Sequence, residues 1–472
     1  MPTNSFSARV LQSHHTTSST HSTHSGNSSD VCAKLITRRK GRKEAIMLRL
    51  SRLAIIGRDP EQSTYVVDDT LVSGVHCKLY AISSPSEGVI ISCQDVSRNG
   101  ILLNGQPMRK TAVILADGDE IRLPNSLSFT CVHLWKKSNE KLGLFDPTPP
   151  PQPIQKEIGN YIVTSQCLGT GSFATVHLAL DPANYRQVAC KSIKTKRESE
   201  VNQVMKEVKI LMTLKHPNIN EIYDTEEHKG FMSVFFQFIL LYEISYPLGS
   251  HIFLQLCTGG DLFTHITHSI THGPRICEAE AKYIMFQVLC GLKYLHVKMI
   301  SHRDLKPENI LLHCPGPYPR VLIADFGLAR PNSYQETFNV CGTVSYLPPE
   351  GILALDNKHL SYIGMPSDCW SAGIILYIML SLRIPGVEAA TRSGIRSQSD
   401  LKLKERIIQG DVEYFDDPWQ QLPDARKLVE DLLVHNPVLR ATVDSALQSI
   451  WILSESDELK ALYRHRVGDL AS

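Results

Sequence analysis

The string LGTGSFATV, Leu168 to Val176, places glycines between two strand-like runs, so its backbone could lie close over phosphate oxygens with no side chain in the way. Read alone, it is equally a Gly-rich hairpin that holds no ligand. Soon after it, VACK ends in Lys191, a cation of the right sign for phosphate that a snorkelling strand lysine explains as well. Further on come HRDLKPEN (His302 to Asn309), ADFGLAR with Asp325, and CGTVSYLPPE ending at Glu350, which crowd acids, an amide and a lysine into loop-like text.

Elements to position these residues are legible around them. Residues 161 to about 452 begin with strand-like runs and then turn helical, as in EVNQVMKEVKILMTLK and EAEAKYIMFQVLCGLKYLHVK, where apolar residues recur at three and four. This predicts a small β-rich lobe followed by a larger α-rich lobe. Residues 31 to 135 instead show short β-branched runs separated by turn pairs, among them Asn99-Gly100, Asn104-Gly105 and Asp117-Gly118, which predicts a β-sandwich. Between the two regions, 136 to 160, FDPTPPPQPIQKEIGN reads as a semi-rigid linker. Residues 1 to 30 are Ser-, Thr- and His-rich and read as a disordered tail, and 453 to 472 as a C-terminal tail. His14, His15, His21 and His24 lack cysteine or carboxylate companions, so a solvated tail explains them better than a metal site.

The chain has 472 residues, enough for two or three domains. Its 49 basic and 48 acidic side chains give no electrostatic reason to expect nucleic acid or a membrane surface as a direct partner. The 12 cysteines are scattered singly, which reads as reduced thiols in a cytosolic or nuclear setting, and the N-terminus lacks a signal-peptide pattern.

Taken together and in this order, the motifs of residues 161 to 452 resemble the eukaryotic protein kinases. The resemblance implies a bilobal α+β fold that uses ATP and Mg2+. It implies an adenine and phosphate site built by Leu168, Gly169, Gly171, Val176, Ala189, Lys191, Leu254, Gln255, Cys257 and Asp325, with Leu254 as gatekeeper and Cys257 in the hinge. Lys191 would be held by Glu207, Asn309 and Asp325 would take the metal, and Asp304 would accept or orient the proton of the substrate hydroxyl. Lys306 resembles the serine/threonine-specific branch, and Glu308 the acid by which related kinases favour an upstream arginine. Arg303 resembles the arginine that grips a phosphorylated activation loop, for which Ser333, Thr337 and Thr343 are the available acceptors; Thr343 could instead be part of the substrate platform. Asp368, Trp370 and the pair Arg440 and Glu350 read as structural. Ala174 stands where the third loop glycine is usual, and PPE where APE is usual.

In the β-rich region GR at Gly57-Arg58, SGVH from Ser73 to His76 and SRNG from Ser97 to Gly100 resemble the forkhead-associated (FHA) domain. The resemblance implies phosphothreonine binding through Arg58, Ser73 and Asn99, with His76 supporting the loops. Asn104 could take part, although its glycine neighbour favours a hairpin turn. Gly74 and the NGI string depart from the family and bear on peptide preference. The basic run RRKGRK, Arg38 to Lys43, reads as a solvated hairpin loop and is also compatible with a nuclear-localisation signal. The whole arrangement resembles the DNA-damage checkpoint kinases and their meiotic branch, near the calmodulin-dependent kinase group. It implies a nuclear enzyme, also compatible with the cytoplasm, that phosphorylates protein substrates, docks on phosphothreonine-containing proteins and pairs transiently with a second copy for activation-loop phosphorylation in trans. The rival reading is a phosphopeptide-binding scaffold whose kinase domain is inactive.

One stretch fits neither domain. GFMSVFFQFILLYEISYPLGS, 230 to 250, is apolar and nearly long enough to span a bilayer. A spanning helix there would separate Lys191 from Asp304, so the run is expected as an insertion before the hinge strand, either translated intron or a genuine extra element.

Overall fold

The structure is a computed structural model that describes residues 30–83, 88–134, 156–170, 174–194, 208, 211–228, 249–271, 276–331, 337, 342–357, 359–383, 396–410, 412–414 and 416–467. The expected N-terminal tail and its histidines, Gly171, Glu207, Ser333 and most of the apolar run lie outside the described residues.

The N-terminal region is a sandwich. Strands β1 (Val31–Arg39), β2 (Arg42–Arg49), β3 (Ala54–Gly57), β4 (Tyr65–Val66), β5 (Cys77–Ser83), β6 (Val89–Asp95), β7 (Ile101–Leu103), β8 (Gln106–Met108), β9 (Ala112–Ile114), β10 (Glu120–Arg122) and β11 (Ser128–His133) form two sheets, ordered β2-β1-β11-β10-β7-β8 and β4-β3-β5-β6-β9. Along β5 the side chains of Cys77, Leu79 and Ala81 point into the core while Lys78, Tyr80 and Ile82 are half-buried on the outer face, the period of two that the pleat requires. Leu35, Leu48, Ile56, Leu79, Ile121 and Phe129 are buried at the centre. Asn104-Gly105 closes the β7–β8 hairpin with φ of 49° and 84°, and Asn104 also bonds across to Asp119 and Glu120. Lys40-Gly41 closes β1–β2 with φ of 48° and 78°, so the basic run is a paired hairpin, Arg38 opposite Lys43 and Arg39 opposite Arg42.

The second region has a small lobe whose sheet runs β12 (Lys156–Ile158), β13 (Tyr161–Thr170), β14 (Ala174–Asp181), β15 (Arg186–Lys194), β17 (Gly249–Gln255), β16 (Ile222–His228) in spatial order. Lys156 to Ile158, expected in the linker, therefore belongs to the lobe. Gly249 and Ser250, expected in the apolar insertion, are corrected to strand: they pair with His228 and Glu227. Among the described residues, no helix is long and apolar enough to cross a membrane. The larger lobe is built on α1 (Leu262–Thr271), α2 (Glu278–Val297), α3 (Gly364–Ser381) and α4 (Pro423–Leu432). Both α2 and α3 bury residues around most of their circumference, as central helices must. The expected C-terminal tail is in part a docked helix, α5 (Ser456–Val467): Leu459 and Val467 are buried and the Tyr463 hydroxyl donates to Asn218 Oδ1 at 2.7 Å. Sequence reading missed it because the stretch is short and highly charged.

Candidate functional site

Register alone assembles part of the upper site. Val176 lies opposite Lys191, and Ala189 opposite Leu254, so these four side chains share one face of the small-lobe sheet. The other face buries Ala179, Val188, Cys190 and Phe253, with Tyr161 stacked on Phe253 at 3.7 Å. Among the described residues, a Cβ on Gly169 would meet nothing within 4 Å. Below the sheet, the Lys191 ammonium forms an ion pair with the Asp325 carboxylate, and Asp325 sits in the left-handed region at φ 62°.

The catalytic-loop string is fixed from behind. Buried Asp368 accepts the backbone N–H of His302 at 2.9 Å and of Arg303 at 2.8 Å, while His302 Nε2 donates to Ala324 O at 2.9 Å. Arg303 takes φ 70°, a conformation these bonds hold in place. The Asp304 carboxylate then collects four donors. Its Oδ1 accepts Thr343 N at 3.0 Å and Thr343 Oγ1 at 2.9 Å; its Oδ2 accepts Lys306 Nζ at 2.8 Å and Asn309 Nδ2 at 3.1 Å. Lys306 Nζ also donates to Thr343 Oγ1 at 2.9 Å. Thr343 is thus bonded to both Asp304 and Lys306. Thr337 is buried, its backbone paired with Tyr362, whose hydroxyl accepts from Arg303 Nε at 3.2 Å.

Arg440 and Glu350 form a two-pronged pair at 2.7 and 2.9 Å, with the guanidinium also donating to the carbonyls of Pro366, Val434 and His435. Every donor on that buried cation has work to do, which offsets its desolvation. Trp370 is buried beside this guanidinium, 5.0 Å from ring centre to cation.

In the sandwich, three loops meet. Arg58 N donates to Ser73 O at 2.9 Å, Arg98 N to Ser73 Oγ at 3.1 Å, and Asn99 Nδ2 to Leu71 O at 2.8 Å. His76 is buried beneath them: Nδ1 accepts Ser73 N and Nε2 donates to Gly100 O, each at 3.1 Å, which fixes the neutral tautomer, and burial pushes its pKa down. Arg58 and Asn99 remain exposed. Gly57 is obligatory beside Arg58, since a Cβ there would fall 1.9 Å from Gly74 O. Sequence reading missed Asp95, a buried acid that accepts Ser97 Oγ at 2.7 Å and Lys110 N at 2.7 Å and so anchors the third loop. Its place at the end of a strand, just before turn residues, was the available signal.

Comparison with known proteins agrees with this geometry. The protein kinase domain pattern matches residues 162–452, and the FHA domain pattern residues 54–124. The chain belongs to the protein kinase family. Among its relatives, a protein named "Probable serine/threonine-protein kinase fhkE" of Dictyostelium discoideum is 31% identical over 409 residues, covering 83% of this chain and 50% of the relative. A meiosis-specific serine/threonine-protein kinase of Schizosaccharomyces pombe is 29% identical over 412 residues, covering 83% and 80%. One of Saccharomyces cerevisiae is 29% identical over 463 residues, covering 90% and 85%. The chain thus spans half the length of the first of these relatives.

The kinase family implies ATP and a divalent metal ion, and the described residues fit both. Among them no group of three or more His, Cys, Asp and Glu side chains could hold an ion alone. An ion at Asp325 and Asn309 would have to share its coordination with other oxygens. That pattern suits a hard cation bound together with phosphate.

Proposed function

We propose that this protein is a serine/threonine kinase that uses ATP with Mg2+, phosphorylates protein substrates, and is brought to them by FHA binding to phosphothreonine. The observation that carries the reading is the Asp304 carboxylate held by Thr343, Lys306 and Asn309. Four donors hold it aimed, which is what a group receiving a hydroxyl proton needs. Bound with Mg2+, ATP supplies the transferable phosphoryl group. Lys191 and Lys306 provide positive charge for phosphate oxygens, and Asp325 and Asn309 provide oxygen ligands for the ion. Glu207 and Gly171 complete the set from outside the described residues, and Leu168, Val176, Ala189, Leu254, Gln255 and Cys257 would enclose the adenine.

For the sandwich, Arg58 and Ser73 would hold the phosphate and Asn99 the peptide backbone. The meiosis-specific relatives support a role in meiotic signalling; a role in DNA-damage checkpoint signalling and a place in the nucleus are part of the same proposal. The paired hairpin of Arg38 to Lys43 leaves most of this basic run exposed, which is compatible with a nuclear-localisation signal. Transient pairing of two copies would allow Ser333 or Thr337 to be phosphorylated in trans, and Thr337 would first have to leave Tyr362.

The test is transfer of labelled phosphate from ATP to a mixed protein substrate by purified full-length chain. Transfer that Asp304→Ala abolishes supports the enzyme. Phosphothreonine-peptide binding with no transfer, even after activation-loop phosphorylation, would establish the scaffold instead.

A further inference from the structure

The outer face of the sheet β4-β3-β5-β6-β9 ought to be wet, because the inner face already carries the sandwich core. It is not. On β6 the run Ile90, Ile91, Ser92 and Cys93 is buried without alternation, and Ile114 of β9 is fully buried although its neighbours Val113 and Leu115 are the ones that point inward. Cross-strand register places Tyr80, Ser92 and Ile114 in one row of this face and Ile82 beside Ile90 in the next. The cover comes from the kinase.

Three parts of the kinase supply it. On the small lobe, Leu178 is buried in a cluster with Ile90 and Ile114. Beside it the Gln187 amide takes both main-chain groups of Ile114: Ile114 N donates to Oε1 and Nε2 donates to Ile114 O, each at 2.8 Å. Strand β9 is an edge, so its outward N–H and C=O would otherwise have no ladder partner, and the Gln187 side chain stands in for a neighbouring strand. At the hinge and the glycine-loop entrance, Leu256 and Leu168 pack on the same cluster. On the large lobe, two glycines let the backbone come against the sheet. Ile82 Cγ2 lies 3.4 Å from where a Gly260 side chain would begin, and the Tyr80 hydroxyl 3.2 Å from the same point on Gly316. Burial there pushes the Tyr80 phenol up to about 12.

We propose that the FHA domain is an intramolecular brace: its outer sheet face grips the small lobe through Gln187 and Leu178 and the large lobe through Gly260 and Gly316, fixing the angle between the lobes across the hinge. A body attached to only one lobe would ride with it as the cleft opens. A body attached to both, and to Leu256 between them, must detach from one before the lobes can separate. Cleft opening therefore carries the cost of losing one arm of the brace. The same sheet carries the peptide-facing loops at the ends of its strands, so a captured phosphopeptide is presented by a domain with a fixed orientation to the kinase. The consequence for nucleotide binding rests on the function proposed above; the brace itself does not.

The experiment uses full-length protein with Gln187→Ala to break the small-lobe arm, Ile82→Arg to break the large-lobe arm, and the double variant. Neither residue belongs to the sandwich core or to the candidate catalytic set. Amide hydrogen exchange is read at Ile114, which reports the Gln187 contact, and at Thr258 and Gly259, whose N–H groups bond to His313 O and Leu312 O and join hinge to large lobe. The brace requires that Gln187→Ala speed exchange at Ile114 by about tenfold or more, and that either single variant speed it at Thr258 and Gly259 by several-fold. It further requires that the double variant add little to either single, because one broken arm already frees the lobes. ATP affinity should shift in the same pattern, by roughly 3- to 10-fold, in all three variants.

Unchanged exchange at Ile114 would show that the contact does not exist in solution. Faster exchange at Ile114 with no change at the hinge would show a passive contact, and strictly additive hinge effects would show two unrelated ones; any of the three overturns the brace. If no form binds ATP while hinge exchange follows the pattern, the kinase reading fails and the brace stands. A melting curve for each variant, with the sandwich transition retained, separates these outcomes from misfolding.

Discussion

The two sites proposed to take phosphate differ in what is held still. In the sandwich the rigidity lies in the loop backbones: His76 and Asp95 are buried beneath and fix Ser73, Ser97 and Gly100, while Arg58 and Asn99 above them are exposed. In the kinase the loop backbone is fixed in the same way, by buried Asp368. There, however, the carboxylate of Asp304 is itself boxed in by Thr343, Lys306 and Asn309. A recognition site needs its charge displayed, since the ligand can complete the geometry on arrival. A group that takes a proton in a transition state must already be aimed, because reorientation at that moment adds to the barrier.

This contrast predicts unequal sensitivity to small changes. In the kinase, Asp304→Asn keeps the shape but removes the proton acceptor, and labelled-phosphate transfer should fall by roughly 10²- to 10⁴-fold while phosphothreonine-peptide affinity stays within error. Thr343→Ala removes only a hydroxyl, yet it withdraws one donor from Asp304 and one acceptor from Lys306, so kcat should drop by about tenfold or more. Equal kcat for Thr343→Ala and wild type would show that the carboxylate does not need its box. In the sandwich, Arg58→Ala should weaken peptide binding by about 2 kcal/mol, roughly thirtyfold, and leave transfer to a non-docking substrate unchanged. Loss of both would break the comparison, because it would mean the exposed arginine also holds the fold.

Smaller effects should follow pH. Burial lowers the pKa of His76, so the folded sandwich keeps it neutral where the unfolded chain takes a proton. The stability this gives is fully present above the unfolded value near 6.5 and is lost as pH falls toward the folded value. Protonation would also remove the acceptor for Ser73 N. Peptide binding should therefore hold as pH passes ~6.5 and decline several-fold only at lower pH, where the folded His76 takes its proton, whereas His76→Gln should flatten the profile. The larger domain carries the same sign at His216 and His313, both pushed down to about 4 by burial and by Arg320, so its melting temperature should fall through the window from 6.5 to 4. A flat melting profile there would show that these rings accept protons without cost.

The strings that lie in loops were the easiest to read ahead of the structure. Their residue types are dictated by chemistry that tolerates few substitutes, so Asp304, Asn309, Asp325, Arg58 and Ser73 could be placed by motif alone. What stayed hidden depends on faces meeting across hundreds of residues. Nothing in the local text of β9 says that Ile114 is covered, and nothing around Gln187 says that its amide ends a sheet in another domain. Strand β6 held a faint signal: VIISC lacks the alternation of a one-sided strand, which means both of its faces are covered. Helix α5 escaped for the opposite reason, since its charged surface conceals the few apolar positions that dock.

The apolar run supplies the mildest predicted effect. Strands β16 and β17 are antiparallel neighbours, and their last pair is His228 opposite Gly249. Antiparallel strands that end opposite each other need only about two residues to connect them, and Asn-Gly supplies the positive φ angles such a turn demands. Replacing residues 229–248 with Asn-Gly therefore should not disturb the pairing of Leu254 with Ala189, nor the hinge that follows it. Loop-closure entropy slightly favours the short connection, by about 1 to 2 kcal/mol for a shortening of this size. Transfer activity should stay within about twofold and the melting temperature should hold or rise. An inactive but folded replacement would instead show that the run contributes to the site. The comparison would then need a third region, one that neither displays charge nor fixes it but shields the small lobe.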